Sequence, residues 1–170
     1  NDFKTDDVFD RVVSVEMFEH MRNYQELLRR IRSFIKPEGK LFVHIFSHKF
    51  LVYPFEDKGP GDWMSREFFS GGLMPSHRLL LHFQEDLNIE KVWRISGYHY
   101  SQTSWAWLEK MDKNKAHIID IFSRTYGQNN AKIWWQRWRI FFMSCAELFG
   151  INHGNEWGVS HYLFVKGNPE

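Results

Sequence analysis

Three titratable side chains, Glu16, Glu19 and His20, lie within five residues at the end of a short apolar run, residues 12–15. The run has the apolar character of a buried strand. In open α/β sheets, ligands bind beyond the carboxyl ends of the strands. Two carboxylates beside an imidazole can shift each other's pKa values and can remove a proton from a bound molecule. The cluster is therefore a candidate reaction site.

A second interpretation fits the same three residues. The carboxylates could belong to the charged first turn of an exposed helix, where the helix dipole favours acidic side chains. Under either interpretation, a helical turn after the strand would project Glu16, Glu19 and His20 from one side, because residues three and four apart are neighbours on a helix. The local pattern leaves both interpretations open.

Other candidate groups lie elsewhere in the chain. His44 is the polar residue of the apolar run 41–46, where a buried imidazole must find a hydrogen-bond partner. It is either a satisfied core histidine or a functional group. The closely spaced tryptophans 134, 135 and 138 fit a helix core or a face for an aromatic or cationic ligand. The nine histidines and the single Cys145 show no metal-ligand spacing, so no metal is predicted.

The elements around the cluster predict a strand, a helix and a second strand. Residues 9–15 form the first strand, and Asn23 with Glu26 has the spacing of a capping box at a helix start. We expect this helix to end at the turn residues 37–39 and a strand to follow over 41–46. Two strands joined by a helix are parallel and connected by a right-handed crossover. The apolar stripe of the helix is Leu27, Leu28, Ile31, Phe34 and Ile35.

Residues 48–82 lack periodicity and are rich in glycine and proline, which predicts a long structured insertion that covers the substrate side. The pair Gly71-Gly72 predicts a tight turn, since it does not open a helix as a phosphate-binding loop would. Further strands are predicted over 92–100 and 157–166. Two helical stretches separate them, the first with Leu108, Met111, Ile118 and Phe122, the second with Trp134, Trp138, Phe141, Cys145 and Leu148.

The length, composition and net charge of the chain exclude some classes of function. A chain of 170 residues with 43% hydrophobic residues predicts one globular domain spanning residues 1–170. The formal net charge of +1 gives no cationic excess for a polyanion, so nucleic acid is not an expected partner. One cysteine and the absence of an apolar run long enough for a membrane span predict a soluble, cytoplasmic protein.

Several segments together resemble one known family. Residues 9–21 (FDRVVSVEMFEHM) and 36–44 (KPEGKLFVH) resemble the S-adenosylmethionine-dependent methyltransferases that include cyclopropane-fatty-acid synthases and coclaurine-type N-methyltransferases. The resemblance continues through residues 69–76, 97–103 and 156–164. It implies an α/β fold, namely the C-terminal part of a Rossmann-like class I methyltransferase sheet, with the first strands and the glycine-rich cofactor loop preceding Asn1.

The resemblance assigns two overlapping sets of site residues. In the coclaurine-type enzymes, the residues that match Glu16, Glu19 and His20 surround the substrate amine and help to remove its proton. In the cyclopropane synthases, the residues that match Glu19, His44 and Tyr100 help to hold a bicarbonate ion that acts as a base. A cysteine also contributes to that ion site in the family, and Cys145 does not match it.

Further contacts follow from the resemblance. We expect S-adenosylmethionine to contact Asn1, Asp2, Ser14 and Val15. The tryptophans expected to form walls of the substrate site are Trp63 and Trp138.

Three hypotheses follow for function. The first is N-methylation of a small, aromatic amine by an S-adenosylmethionine-dependent enzyme, with no metal. The second is methyl transfer to an unsaturated acyl chain of a lipid, as in cyclopropane-fatty-acyl-phospholipid synthases, with bicarbonate as an additional cofactor. The third is that this chain alone is an inactive fragment or a binding module. A homodimer is compatible with each of the three.

Overall fold

The computed structural model describes residues 3–69 and 71–167. The strands, in chain order, are β1 (Phe9–Val15), β2 (Ile35–His48), β3 (Tyr53–Pro54), β4 (Leu73–Met74), β5 (Leu87–Ser96) and β6 (Trp157–Lys166). The α-helices are α1 (Tyr24–Phe34), α2 (Trp63–Glu67), α3 (Gly97–Lys113), α4 (Lys115–Tyr126) and α5 (Ala131–Gly150). The predicted α/β class is confirmed.

The chain divides into two compact units. The first extends to Ile95 and resumes at Val159, and the second is Ser96–Gly158. The predicted single domain over residues 1–170 stays a prediction. No helix in the described ranges is both long and apolar enough to cross a membrane.

The first unit is built on a four-stranded sheet in the order β1-β2-β6-β5. Strands β1 and β2 are parallel, with Val12 opposite Leu41 and Val15 opposite His44. The predicted strand, helix and strand are thus confirmed. Helix α1 starts as expected, because the side chain of Asn23 accepts a hydrogen bond from the amide of Glu26 at 3.1 Å. Its apolar stripe covers one face of the sheet, and the buried core includes Phe18, Tyr24, Leu28, Ile31, Leu41, Val43 and Phe164.

The predicted end of α1 at residues 37–39 is wrong. The helix ends at Phe34, and β2 begins at Ile35, whose β-branched side chain is buried. The pairing of β1 with β2 is irregular here, since Phe9 lies opposite Ile35 but Arg11 lies opposite Lys40. The turn residues are therefore accommodated within the strand pairing and do not separate the helix from the strand.

The insertion over residues 48–82 contains only short elements, as the lack of periodicity predicts. Strands β3 and β4 pair antiparallel, α2 spans five residues, and a 3₁₀ turn covers Leu79–His82. Gly71 has φ 82°, a left-handed conformation that glycine adopts readily. The predicted tight turn is confirmed.

The second unit consists mainly of α3, α4 and α5, and the sequence misplaces two of its boundaries. The strand predicted over 92–100 ends at Ser96, where α3 begins, because the hydroxyl of Ser96 accepts a hydrogen bond from the amide of Tyr98 at 3.2 Å. The first predicted helical stretch is two helices separated at Asn114. The amide side chain of Asn114 donates to the carbonyl of Lys110 at 2.7 Å and closes the end of α3.

The face that α5 buries also differs from the predicted stripe. The buried residues of α5 are Ala131, Trp135, Ala146 and Phe149. The predicted stripe is only half-buried. It consists of Trp134, Trp138, Phe141, Cys145 and Leu148. Helix α5 packs against both α3 and α4. Because α5 contacts two helices, its buried face is broader than one apolar stripe and is not predicted by the spacing of that stripe.

Candidate active site

The chain turns sharply where β1 ends. Glu16 has φ 49°, in the left-handed region that non-glycine residues rarely occupy. Its amide donates to the carbonyl of His44 at 3.0 Å, and a 3₁₀ turn over Phe18–His20 follows. Glu16 therefore lies outside the helical turn that carries Glu19 and His20. The expectation that all three side chains project from one helical face is wrong.

The carboxylate of Glu16 begins a row of three polar side chains. Its Oε1 lies 3.0 Å from Nε2 of His44, and Nδ1 of His44 lies 2.9 Å from Nε2 of His161 on β6. The ring of His161 also contacts Phe42, with ring centroids 5.2 Å apart. The row crosses the three neighbouring strands β1, β2 and β6. His44 is thus a partnered histidine next to a predicted catalytic carboxylate.

Burial changes the protonation of this row. Partial burial lowers the pKa of His44, and the nearby imidazole of His161 lowers it further. Burial also lowers the pKa of His161. Both imidazoles are accordingly neutral at pH 7. His161 was not selected from the sequence; the one available signal was a polar residue in the apolar run that predicted β6.

Glu19 occupies a different environment from Glu16. Its side chain is 2% exposed, and Oε1 lies 3.8 Å from Nε2 of the half-exposed His20. Its other oxygen, Oε2, has no hydrogen-bond partner among the described residues. Burial raises the pKa of Glu19, because the charged form loses its hydration. This carboxyl group can therefore hold a proton that an exposed glutamate would release.

The insertion reaches the turn of Glu19 and His20 through Gly72. A Cβ atom at this position would lie 3.0 Å from the carbonyl oxygen of Glu19 and 3.6 Å from Nδ1 of His20. The carbonyl of Gly72 accepts a hydrogen bond from the amide of Phe55 at 2.9 Å. A side chain at this position would crowd the backbone of Glu19, so glycine favours this close approach. The sequence predicts only a tight turn for this glycine pair. It does not reveal that Gly72 approaches the backbone of Glu19.

An aromatic cluster lies beside this contact. Phe55 packs against Phe69 and Phe46, with ring centroids 5.2 and 6.2 Å apart, and Tyr53 lies 6.2 Å from Phe55. Such rings provide apolar surface and can stabilise a cationic or aromatic ligand. The insertion thus carries aromatic surface next to the turn of Glu19 and His20.

A buried polar network holds the insertion to the sheet. The hydroxyl of Ser160 on β6 lies 2.6 Å from that of Ser47 on β2 and 2.8 Å from Nδ1 of His77. The hydroxyl of Tyr162 donates to the carbonyl of His77 at 2.7 Å. Burial raises the pKa of Tyr162 to about 12, although the hydrogen bond with Ser160 acts to lower it. His77 is thereby fixed to two strands of the sheet.

Of the four residues expected to contact the cofactor, the structure describes Ser14 and Val15. Ser14 is buried, and its Oγ has no hydrogen-bond partner within residues 3–69 and 71–167. Val15 is exposed at the end of β1. Both line a groove of about 480 Å³ between β1 and α1. Asn1 and Asp2 lie outside the described residues.

The remaining predicted site residues are divided between the units. Trp63 begins α2 in the first unit, with its ring 5.4 Å from Phe68. Tyr100 on α3 belongs to the second unit, where its ring packs 4.4 Å from that of Phe149. Trp138 on α5 belongs to the second unit and lies 5.5 Å from Phe141. The first unit alone brings together Glu16 with His44, and Glu19 with His20.

No group of three or more histidine, cysteine, aspartate or glutamate side chains in the described part of the chain is arranged to hold a metal ion. In the row from Glu16 to His161, each group contacts the next.

Comparison with known proteins gives consistent matches. Residues 1–157 match the family model described as mycolic acid cyclopropane synthetase. The chain is 41% identical over 167 residues to (S)-coclaurine N-methyltransferase of Papaver somniferum, covering 96% of this chain and 48% of that protein. It is 30% identical over 163 residues to cyclopropane-fatty-acyl-phospholipid synthase of Escherichia coli K12, covering 95% of this chain and 38% of that protein.

Solved structures agree with these matches. The crystal structure of a coclaurine N-methyltransferase bound to N-methylheliamine and SAH aligns with a TM-score of 0.89 at 36% identity, covering 97% of this chain and 48% of that one. A cyclopropane synthase of Mycobacterium tuberculosis aligns with a TM-score of 0.75 at 18% identity, covering 95% of this chain and 57% of that one, and shares the fold. The chain spans about half the length of the curated N-methyltransferases it matches.

Proposed function

Because this chain belongs to the mycolic acid cyclopropane synthetase family, we propose that the protein containing it transfers a methyl group from S-adenosylmethionine to the nitrogen of a small, aromatic amine. The observation that carries the proposal is the pair of carboxyl groups after β1, with Glu16 held by His44 and Glu19 buried beside His20. The 41% identity to a coclaurine N-methyltransferase, against 30% to a lipid synthase, supports an amine acceptor.

The chemistry requires a base and an aligned nitrogen. The nitrogen of an alkylamine that carries an aromatic ring is protonated at pH 7 and must lose a proton before its lone pair can attack. Glu16 is suited to accept this proton, because its side chain is 28% exposed and its oxygen is already oriented by His44. Glu19 adds a second carboxyl group, which in its ionised form would attract a cationic amine. Nε2 of the half-exposed His20 lies 3.8 Å from Oε1 of Glu19.

S-adenosylmethionine, when bound, supplies a methyl group on a positively charged sulfur. From the described part of the chain, Ser14 and Val15 are suited to contact it, since they end β1 and line the groove beside α1. The unpartnered hydroxyl of Ser14 is a polar atom that a ligand could satisfy. The protein then contributes to the rate mainly by aligning the methyl group of the cofactor with the nitrogen of the amine.

One observation favours the lipid reaction as a second candidate. Burial raises the pKa of Glu19, and a protonated carboxyl group can donate a hydrogen bond to an anion such as bicarbonate. An ionised carboxylate would repel the same anion. This candidate would use Glu19 and His44 as ion ligands.

The test uses the protein expressed from its complete coding sequence. It is incubated with S-adenosylmethionine and either a panel of primary and secondary alkylamines that carry an aromatic ring or vesicles of unsaturated phospholipid, with and without bicarbonate. Mass spectrometry should show N-methylated amines and unchanged lipid. Conversion of lipid alone, dependent on bicarbonate, would replace the amine proposal with the second candidate. Calorimetry on the 170-residue chain with S-adenosylmethionine tests whether this part alone binds the cofactor.

A further inference from the structure

His161 stands at the end of the row that begins at the proposed base. Its Nε2 lies 2.9 Å from Nδ1 of His44, and Nε2 of His44 lies 3.0 Å from the Glu16 carboxylate. No sequence argument assigns His161 a role. Its ring is fixed by position, because β6 neighbours β2 in the sheet and Phe42 packs against the imidazole.

The contacts in this row determine the tautomer of His44, because an imidazole lone pair 3.0 Å from a carboxylate oxygen would be repelled whereas an N–H would be attracted. An ionised carboxylate can only accept, so the proton of a neutral His44 must lie on Nε2, facing Glu16. Nδ1 of His44 is then a lone-pair acceptor. That acceptor is satisfied when His161 donates from its own Nε2. Burial of both imidazoles supports the neutral forms that this arrangement requires.

We propose that His161 is a positioning residue for methyl transfer, which holds His44 in the tautomer whose Nε2 proton faces Glu16. The carboxylate of Glu16 is thereby aimed as a base. The inference deepens the proposed function and rests on it for its effect on rate. Without the donor at His161, His44 can place its proton on Nδ1. The lone pair of Nε2 would then face the carboxylate, and the Glu16 side chain would lose its orientation.

The kinetic test compares His161→Phe with His161→Gln in the complete protein. Phenylalanine keeps an aromatic ring beside Phe42 but removes the donor, whereas glutamine keeps an N–H donor. We expect His161→Phe to lower kcat about 10- to 100-fold, the usual size of effects from residues that orient a functional group, with KM nearly unchanged. His161→Gln should recover most of the lost rate. The control His117→Phe replaces an exposed histidine of α4.

The second test does not depend on activity. Nitrogen NMR of histidine-labelled wild-type protein should show His44 as the Nε2–H tautomer, and His161→Phe should shift it towards the Nδ1–H form. A wild-type His44 protonated on Nδ1, or an equal loss of kcat in His161→Phe and His161→Gln, would overturn the inference. If no amine is methylated, the proposed function is wrong. The NMR experiment would still show which tautomer His44 adopts.

Discussion

Glu16 is joined to His44 twice, through its backbone and through its side chain. The amide of Glu16 donates to the carbonyl of His44 at 3.0 Å, and its Oε1 lies 3.0 Å from Nε2 of the same residue. The left-handed φ of Glu16 makes both contacts compatible with the turn after β1. A residue held in a sparsely populated conformation at the end of a strand is typical of a functional position.

Replacing Glu16 by glutamine should remove the proposed base while keeping the size of the side chain. The amide oxygen can still accept from His44, but it cannot take up a proton at neutral pH. We expect kcat to fall about 100-fold or more, within the range usual for general base catalysis. Steady-state kinetics on the complete protein measures the change. The matched control is Glu38→Gln, at an exposed position in β2, and equal kinetics in the two variants would contradict the assignment.

Replacing Glu19 by glutamine should stabilise the fold at pH 7. Burial raises the pKa of Glu19 above its ordinary value of 4.5, so the folded state binds more protons than the unfolded state above that pH. The stability of the wild type therefore falls as pH rises through the raised pKa. Glutamine removes this dependence.

Urea unfolding of the wild type and Glu19→Gln over a range of pH measures the effect. The gain in the free energy of unfolding should be present at pH 7 and should shrink as the pH falls to about 4.5. Glu38→Gln again serves as the exposed control. A gain that is independent of pH would show that the ionisation of Glu19 is not its cause.

Replacing Gly72 by alanine should disturb the turn of Glu19 and His20. The new methyl group would press on the carbonyl of Glu19 and on the Phe55 ring, at 3.0 and 3.3 Å from their nearest atoms. We expect a loss of stability of about 1 to 3 kcal/mol, as for overpacked sites, together with a lower kcat. Gly61→Ala is the control, because no atom lies within 4 Å of its added Cβ. Similar behaviour of the two variants would exclude crowding at Gly72.

Replacing Gly97 by alanine should strongly destabilise the second unit. A Cβ atom at this position would overlap the carbonyl oxygens of Trp157 and Phe149, which are backbone atoms and cannot rotate away. We expect a loss of about 3 kcal/mol or more. Thermal unfolding measures it. Gly150→Ala in the same unit meets only Ser101, at 3.4 Å, and should leave the melting temperature within a few degrees of the wild type.

Replacing Ser160 by alanine should weaken the attachment of the insertion. The hydroxyl of Ser160 contacts both Ser47 and His77, so its removal leaves one buried and one half-buried polar group without this partner. The expected loss of stability is about 1 to 3 kcal/mol, measured by chemical denaturation. Ser33→Ala removes an exposed hydroxyl as the control. A change no larger than in Ser33→Ala would show that water replaces the lost contacts.

Local signals in the sequence predict much of the first unit correctly. The bounds of β1 and β6 follow from runs of apolar residues, and the start of α1 follows from the capping side chain of Asn23. These features depend on neighbours along the chain. The end of α1 and the start of α3 were misplaced, because Ile35 and Gly97 take their conformations from packing against distant residues.

The sequence by itself determined that two carboxyl groups and an imidazole follow a strand, and that His44 interrupts an apolar strand. Only the tertiary structure decided what each group does with its proton. The pairing of β1 with β2 gives Glu16 its histidine, and the placement of β6 beside β2 adds His161. The core around the 3₁₀ turn buries Glu19 and raises its pKa. Burial and partners come from residues distant in the chain, so local spacing does not reveal them.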